Sequence, residues 1–313
     1  MSCMTVISVS RSNFVIDDSC LLLILCTIAL SAFLRLSEGF QGCSLPQRRK
    51  SLGLSMLIPV RGGSIVALVT PMTRDNAIDY TKLESLLKWH IAEGSWENMI
   101  VCHTLFPSTS QTYMYCDAAE ASLTSRLISN VGTDGAVILG TTGEASMISM
   151  EERTEIIKTS VRVVNGAFPV IVGTGTIETQ KVIALSQHAL DCGADATLVI
   201  TPYYVKPPQR ALITHFRKIA DSVALPMIVY NCPGRTGVDL KPETIAEFSS
   251  HPRIIGVKDA TGDITRVESL RNLCGKEFMI FSGEDDLGCE FVRLGGDGVI
   301  SVTANVAPAA MHT

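Results

Sequence analysis

The sequence predicts a closed (β/α)8 barrel, and three observations lead there. Eight short apolar runs alternate with amphipathic stretches from residue 63 onward, and alternation with short connections implies parallel βα units. The first βα turn carries no GxGxxG, which argues against an open dinucleotide-binding sheet. The chemically useful residues fall just after predicted strands: Thr141-Thr142, Tyr203-Tyr204, Tyr230 and Lys258. In a barrel those strand ends converge on one mouth, whereas random placement would scatter them between both ends.

The first strand is read in residues 64–70, SIVALVT, and stops at Pro71. Asp79 caps a helix over Tyr80–Glu93, where Leu83, Leu86, Leu87 and Ile91 share one face and Gly94 closes the end. Residues 136–139 form the second strand and run into Gly140-Thr141-Thr142-Gly143-Glu144. Ser149 opens a capping box with Glu152, and the helix behind it carries Ile156, Ile157 and Val161 and stops at Gly166. Residues 169–172 are the third strand, and Val182, Leu185 and Ala189 mark a helix ending at Gly193. The fourth strand, residues 196–200, leads into Thr201-Pro202-Tyr203-Tyr204, with a helix over 212–223. The fifth, residues 226–230, ends in Asn231, and Pro242 sits in the first turn of the next helix. The sixth, residues 254–257, is β-branched at Ile254, Ile255 and Val257, delivers Lys258 and breaks at Asp259 and Gly262. A helix from Ile264, a strand over 278–281, a short helix from Asp286 and a strand over 298–302 complete the pattern. No eighth helix is read after that strand, where the chain stops at residues 307–313.

Composition bounds the function. Of 313 residues 46% are hydrophobic and 18% charged, enough for a large core and against global disorder. Net charge is −5, and outside the leader no basic cluster interleaves with aromatics, so no nucleic-acid partner is implied. Six of the ten Cys lie before residue 44 or within residues 95–132. The remaining Cys192, Cys232, Cys274 and Cys289 form no CxxC and are expected to be buried free thiols. The six His show no metal-ligand spacing, so no metal site is expected.

Three segments stand outside the rhythm. Residues 20–34, CLLLILCTIALSAFL, have the length of a signal-peptide core and are short for a membrane span. Residues 40–61 hold Gln47, Arg48, Arg49, Lys50 and Arg61, several Ser and no acid, which is transit-peptide composition. The expected organisation is a signal-like segment over 1–38, a transit-like segment over 39–62 and the barrel over 63–313. Together the first two resemble a bipartite plastid leader; the alternative is a secretory signal, or an uncleaved anchor. No membrane is expected in the mature form. Residues 95–132 interrupt an αβ connection without a clear period and are read as an atypical insertion, a possible retained intron.

Lys258 is the centre of the chemical reading. A lysine at the mouth of a buried strand loses hydration, which lowers its pKa and frees an amine to attack a carbonyl. On that stretch alone a strand-end lysine that snorkels to water is the heavier reading. In the same way Tyr203-Tyr204 alone reads as wall aromatics, Thr141-Thr142 as a turn, and Arg235 as a surface ion.

Taken together, GSIVALVTPM at residues 63–72, GTTGE at 140–144, TPYYVKPPQ at 201–209, YNCPGRTG at 230–237, GVKDATGD at 256–263 and GVISVTANV at 298–306 resemble the dihydrodipicolinate synthase (4-hydroxy-tetrahydrodipicolinate synthase) family. The resemblance covers residues 63–94 and 133–308. It implies a class I, pyruvate-dependent lyase built as a (β/α)8 barrel with a C-terminal helical domain, which is expected to be missing here. The implied reaction condenses pyruvate with L-aspartate 4-semialdehyde on the diaminopimelate route to lysine, in a homo-oligomer, dimer or tetramer. No cofactor is implied beyond a covalent Schiff base on Lys258. By the same resemblance Tyr230 is the proton donor and acceptor, and Thr141 links it to Tyr204, which reaches in from a neighbouring subunit. Thr142 helps hold the pyruvate carboxylate, Arg235 meets the semialdehyde carboxylate, and Ile300 lines the pyruvate pocket.

Two other readings stay open at this point. Another pyruvate lyase of the superfamily, N-acetylneuraminate lyase or a keto-deoxy-sugar aldolase, shares the lysine, the tyrosine and a GxTGE-like turn. Arg235 with Thr236-Gly237 speaks for the semialdehyde, because a sugar needs no arginine there. A truncated, non-catalytic product is the other reading, and poor solubility is expected where strand eight lacks a covering helix. Feedback by lysine, which many family members show near the position of Tyr203, is not expected. Ile177 and Lys181 stand where an asparagine and a glutamate would hold the effector, and Met150 and Arg153 replace two histidines.

Overall fold

The computed structural model describes residues 57–93 and 133–312. The leader reading over residues 1–56 and the insertion over 95–132 fall outside the described residues. The elements, in chain order, are Gly63–Ala67 (β1), Tyr80–Glu93 (α1), Gly135–Ile138 (β2), Met150–Val164 (α2), Val170–Gly173 (β3), Thr179–Asp191 (α3), Ala196–Ile200 (β4), Gln209–Ser222 (α4), Met227–Asn231 (β5), Pro233–Thr236 (α5), Pro242–Ser249 (α6), Ile254–Asp259 (β6), Arg266–Cys274 (α7), Met279–Ser282 (β7), Gly288–Arg293 (α8), Gly298–Ser301 (β8) and Pro308–His312 (α9). The eight strands pair in parallel and in sequence order, and β8 closes on β1 through Ile65 opposite Ile300.

Alternation along the strands sorts side chains into two layers. On β5, Ile228 and Tyr230 face the barrel interior with Ile65, Ile171, Phe281 and Ile300. Met227 and Val229 face outward onto Phe216, Ile245 and Phe248 of α4 and α6. β6 departs from plain alternation. Met227 pairs with Ile254, but Ile228 pairs with Gly256, so Ile255 is one residue extra. After this bulge Val257 packs outward and Lys258 stands opposite Tyr230 on the inner face. Without the extra residue the same strand would turn Lys258 to the helix layer. Gly256 serves the bulge: a Cβ there would lie 2.5 Å from the Met279 carbonyl oxygen.

Local signals in the sequence are met by specific bonds. Asp79 Oδ1 accepts the Lys82 N–H at 3.0 Å and starts α1. Ser149 and Glu152 form both halves of the capping box, at 2.9 and 3.2 Å. Three expectations are corrected. α2 ends at Val164 rather than Gly166, because Asn165 takes the left-handed conformation first. β6 runs on to Asp259, since Lys258 and Asp259 pair with β5 and β7. A five-residue helix, α9, follows β8 where the sequence suggested no eighth helix: Pro308 opens it, and His312 Nδ1 lies 3.0 Å from Asp134 Oδ2. The four cysteines of the described residues are free, but only Cys232 is buried and Cys289 is exposed.

Candidate active site

Lys258 is 5% exposed near the end of β6, with its Nζ 4.6 Å from the centre of the Tyr230 ring. Burial lowers its pKa to about 8, against the opposing pull of Cys232, Asp285 and Glu284. The buried Tyr230 is held above the ordinary phenol value, first by burial and then by Cys232 beside it. At neutral pH this pair therefore offers an accessible free amine next to a phenol that keeps its proton.

A cavity of about 630 Å³ opens beside them at the C-terminal end of the strands. Thr141, Tyr203, Tyr230 and Arg235 line it. Thr141 stands exposed in the turn after β2, and Thr142 is half-buried. That turn is tied to the barrel by Thr70, whose hydroxyl donates to the Gly143 carbonyl at 2.7 Å. Arg235 is carried by α5, a single turn that the sequence reading did not anticipate. Thr236 anchors it, donating to the Cys232 and Val238 carbonyls at 3.0 Å each. Ile300 is fully buried inside the barrel, in one cluster with Tyr230, Cys232 and Phe281.

Tyr204 is placed differently from the rest. The residue is 85% exposed and its backbone is left-handed, φ 68°, as is that of Lys206, φ 47°. No hydrogen bond joins Thr141, Tyr230 and Tyr204 among the described residues, so one chain by itself does not close that relay.

Two supporting features went unnoticed in the sequence. A Cβ on Gly283, the residue after β7, would stand 3.0 Å from Lys258 Cε and 2.6 Å from Ala260 Cβ, so only glycine leaves the lysine stem its channel. Directly after Lys258, the buried Asp259 carboxylate is paired with Arg266 Nε at 3.0 Å, and accepts from the Thr261 backbone N–H at 3.0 Å and hydroxyl at 2.5 Å. The pair with two further hydrogen bonds fixes the strand end, as a buried carboxylate requires. The signal was present as the DAT of VKDAT, but its arginine partner is remote in sequence. Among the described residues no group of three His, Cys, Asp or Glu is arranged to hold a metal ion.

Comparison with known proteins places this geometry. Residues 112–313 match the Dihydrodipicolinate synthetase family. The 4-hydroxy-tetrahydrodipicolinate synthase of Alcanivorax borkumensis is 41% identical over 249 residues, 80% of this chain and 72% of that protein. The chloride-inhibited dihydrodipicolinate synthase of Acinetobacter baumannii, in complex with pyruvate, superposes with a TM-score of 0.67 at 42% identity, over 81% of this chain and 74% of that one. The enzyme of Cyanidioschyzon merolae with lysine bound superposes at 0.66 and 30% identity, over 80% and 73%.

Proposed function

This chain belongs to the dihydrodipicolinate synthetase family, and from that premise we propose that it condenses pyruvate with L-aspartate 4-semialdehyde to 4-hydroxy-tetrahydrodipicolinate, on the diaminopimelate route of lysine biosynthesis. The observation that carries the chemistry is the buried Lys258 amine, with its pKa lowered to about 8, facing Tyr230 across the β5–β6 register. The neutral amine adds to the pyruvate carbonyl; one N–H proton and one proton from an acid pass to the former carbonyl oxygen, which leaves as water and leaves a protonated imine on Lys258. The resulting imine loses a C3 proton to give an enamine, a carbon nucleophile suited to an aldehyde. The protonated phenol of Tyr230 is the proton donor for the departing oxygen.

The remaining roles follow from chemistry and position. Thr142 and the adjoining backbone suit the pyruvate carboxylate, and the Arg235 fork suits the second carboxylate at the mouth. Ile300 is the apolar floor. Thr141 and Tyr204 complete the proton path, with Tyr204 supplied by a second copy of the chain. The large exposure of Tyr204 supports that arrangement, and with it a homo-oligomer. Residues 1–62 serve as a plastid address.

The test is substrate competition in one assay. Purified chain is given pyruvate with L-aspartate 4-semialdehyde, and separately pyruvate with N-acetylmannosamine. Turnover with the semialdehyde alone is expected; turnover with the sugar alone would assign a sugar aldolase instead. Free lysine at millimolar concentration is expected to leave the rate unchanged, because Lys181 would repel its ammonium groups and Ile177 offers no hydrogen bond.

A further inference from the structure

We propose that Arg266 is a positioning residue for the reaction, holding the loop that carries Arg235 in place over the Lys258–Tyr230 pair. The inference rests on the lyase reading above and deepens it, because it says what sets the place of the second carboxylate.

Strand alternation supplies the starting point. Tyr230 and Lys258 stand on the inner face of the barrel, so the residue after each belongs to the outer face. Those residues are Asn231 and Asp259, register partners that are 0% and 4% exposed. Buried polar side chains need hydrogen-bond partners, and here the partners are shared. Asn231 Oδ1 accepts the Leu240 N–H at 2.9 Å, and its Nδ2 donates to Asp239 Oδ1 at 3.0 Å. The chain therefore leaves β5 at Asn231, carries Arg235 on α5, and returns to the same side chain at Asp239 and Leu240.

Arg266, the first residue of α7, ties that return to the neighbouring strand. Its Nε meets Asp259 Oδ2 at 3.0 Å, its Nη1 donates to Asp239 Oδ2 at 3.4 Å, and its Nη2 donates to the Leu240 carbonyl at 2.7 Å. The side chain is 12% exposed and stands outside the lining of the mouth cavity, so it acts through other residues. A planar fork with separate donors reaches three acceptors at once, which an ammonium does not. The two ends of this tie differ in what else holds them. Without Arg266, Asp259 keeps its ladder pairing to β5 and β7 and both hydrogen bonds from Thr261. The returning loop has no sheet pairing, and Gln209 holds it from α4 through the Asp239 carbonyl at 2.7 Å. A loss at Arg266 therefore falls on the Arg235 arm more than on Lys258.

The experiment is a double-mutant cycle on the full chain, using Arg266→Lys, Asp239→Ala, Arg235→Ala and the doubles with Arg235→Ala. Arg266→Lys should raise KM for the semialdehyde at least about tenfold, because a small misplacement of a binding group is costly. KM for pyruvate and the rate of pyruvate adduct formation should stay within about threefold of the parent. In the Arg235→Ala background Arg266→Lys should add little to the semialdehyde KM, because the arm it positions has lost its fork. A merely structural role gives the opposite: parallel losses for both substrates, or effects that multiply in the double variant. Either result overturns the proposal. Asp239→Ala, at a side chain 45% exposed, cuts the loop end and leaves the Arg266–Asp259 pair, so it carries the same prediction if Arg266→Lys fails to fold. Hydrogen exchange read by mass spectrometry is independent of turnover. Amides of residues 232–240 should exchange at least about tenfold faster in both variants, while β7 keeps the parent rates. A parent chain that turns over no semialdehyde would fail the lyase reading, whereas unchanged exchange over 232–240 would fail the assignment of Arg266.

Discussion

Tyr230 and Lys258 are register partners on adjacent parallel strands, and the lysine Nζ lies 4.6 Å from the centre of the tyrosine ring. Two opposing effects meet there. The ring face attracts an ammonium, while burial penalises it. Burial wins, and the amine pKa falls to about 8. At pH 7 about a tenth of the lysine is then neutral, several hundred times more than for an unshifted side chain.

The pH dependence follows with a definite sign. Adduct formation with pyruvate needs the neutral amine, so its rate should rise with pH and level off above about 8. Stability carries the complementary cost. The folded-state pKa lies below the unfolded value of 10.5, so the penalty is absent above 10.5, grows as pH falls through that window, and is complete below about 8. Lys258→Met should therefore abolish activity yet raise stability at pH 7 by on the order of 1–3 kcal/mol, read from urea denaturation. A destabilised, well-packed Met variant would contradict this.

Tyr230→Phe and Arg235→Ala should separate two roles. The first removes a proton donor and should lower turnover by about a hundredfold or more with little change in pyruvate affinity. The second should raise KM for the semialdehyde far more than KM for pyruvate. Steady-state kinetics in both substrates checks the pair, and identical behaviour of the two variants would refute the assignment.

Gly283→Ala tests the channel for the lysine stem. The added methyl would meet Ala260 Cβ at 2.6 Å and Lys258 Cε at 3.0 Å, and neither is a free side-chain end. Displacement of the lysine should slow Schiff-base formation at least tenfold, with a loss of about 1–3 kcal/mol in stability from overpacking. Stopped-flow adduct formation and thermal unfolding read the two effects separately.

Tyr204 is expected to act across a subunit boundary. Tyr204→Ala should lower turnover while leaving the melting temperature of the dilute chain nearly unchanged, because the residue is already 85% exposed. Mixing it with Tyr230→Phe after mild dissociation should restore part of the activity, since the Tyr204→Ala subunit keeps its own Tyr230 and receives Tyr204 from its partner. Failure to complement would place Tyr204 outside the neighbouring site.

Much of this architecture was legible in the sequence. Apolar runs with β-branched residues marked the strands, and polar pairs after them marked the mouth, because a barrel forces both patterns. What escaped depends on contacts between elements. The bulge at Ile255 is invisible, since Ile254, Ile255 and Val257 look equally strand-like, and only pairing with β5 shows the extra residue. α5 holds a proline and a glycine in four residues, a composition that propensity assigns to a turn, yet Thr236 ties it into a helix. Gly283 reads as loop punctuation until Lys258 is seen passing over it. The Tyr203-Tyr204 pair was legible as part of the mouth, but the left-handed backbone that turns Tyr204 outward shows only in the fold.

The most direct measurement is borohydride reduction of the chain in the presence of pyruvate, followed by peptide mass spectrometry. A single reduced pyruvyl adduct is expected on the peptide that contains Lys258, absent without pyruvate and absent in Lys258→Met. An adduct on any other lysine, or no adduct in folded protein, would contradict Lys258 as the covalent residue.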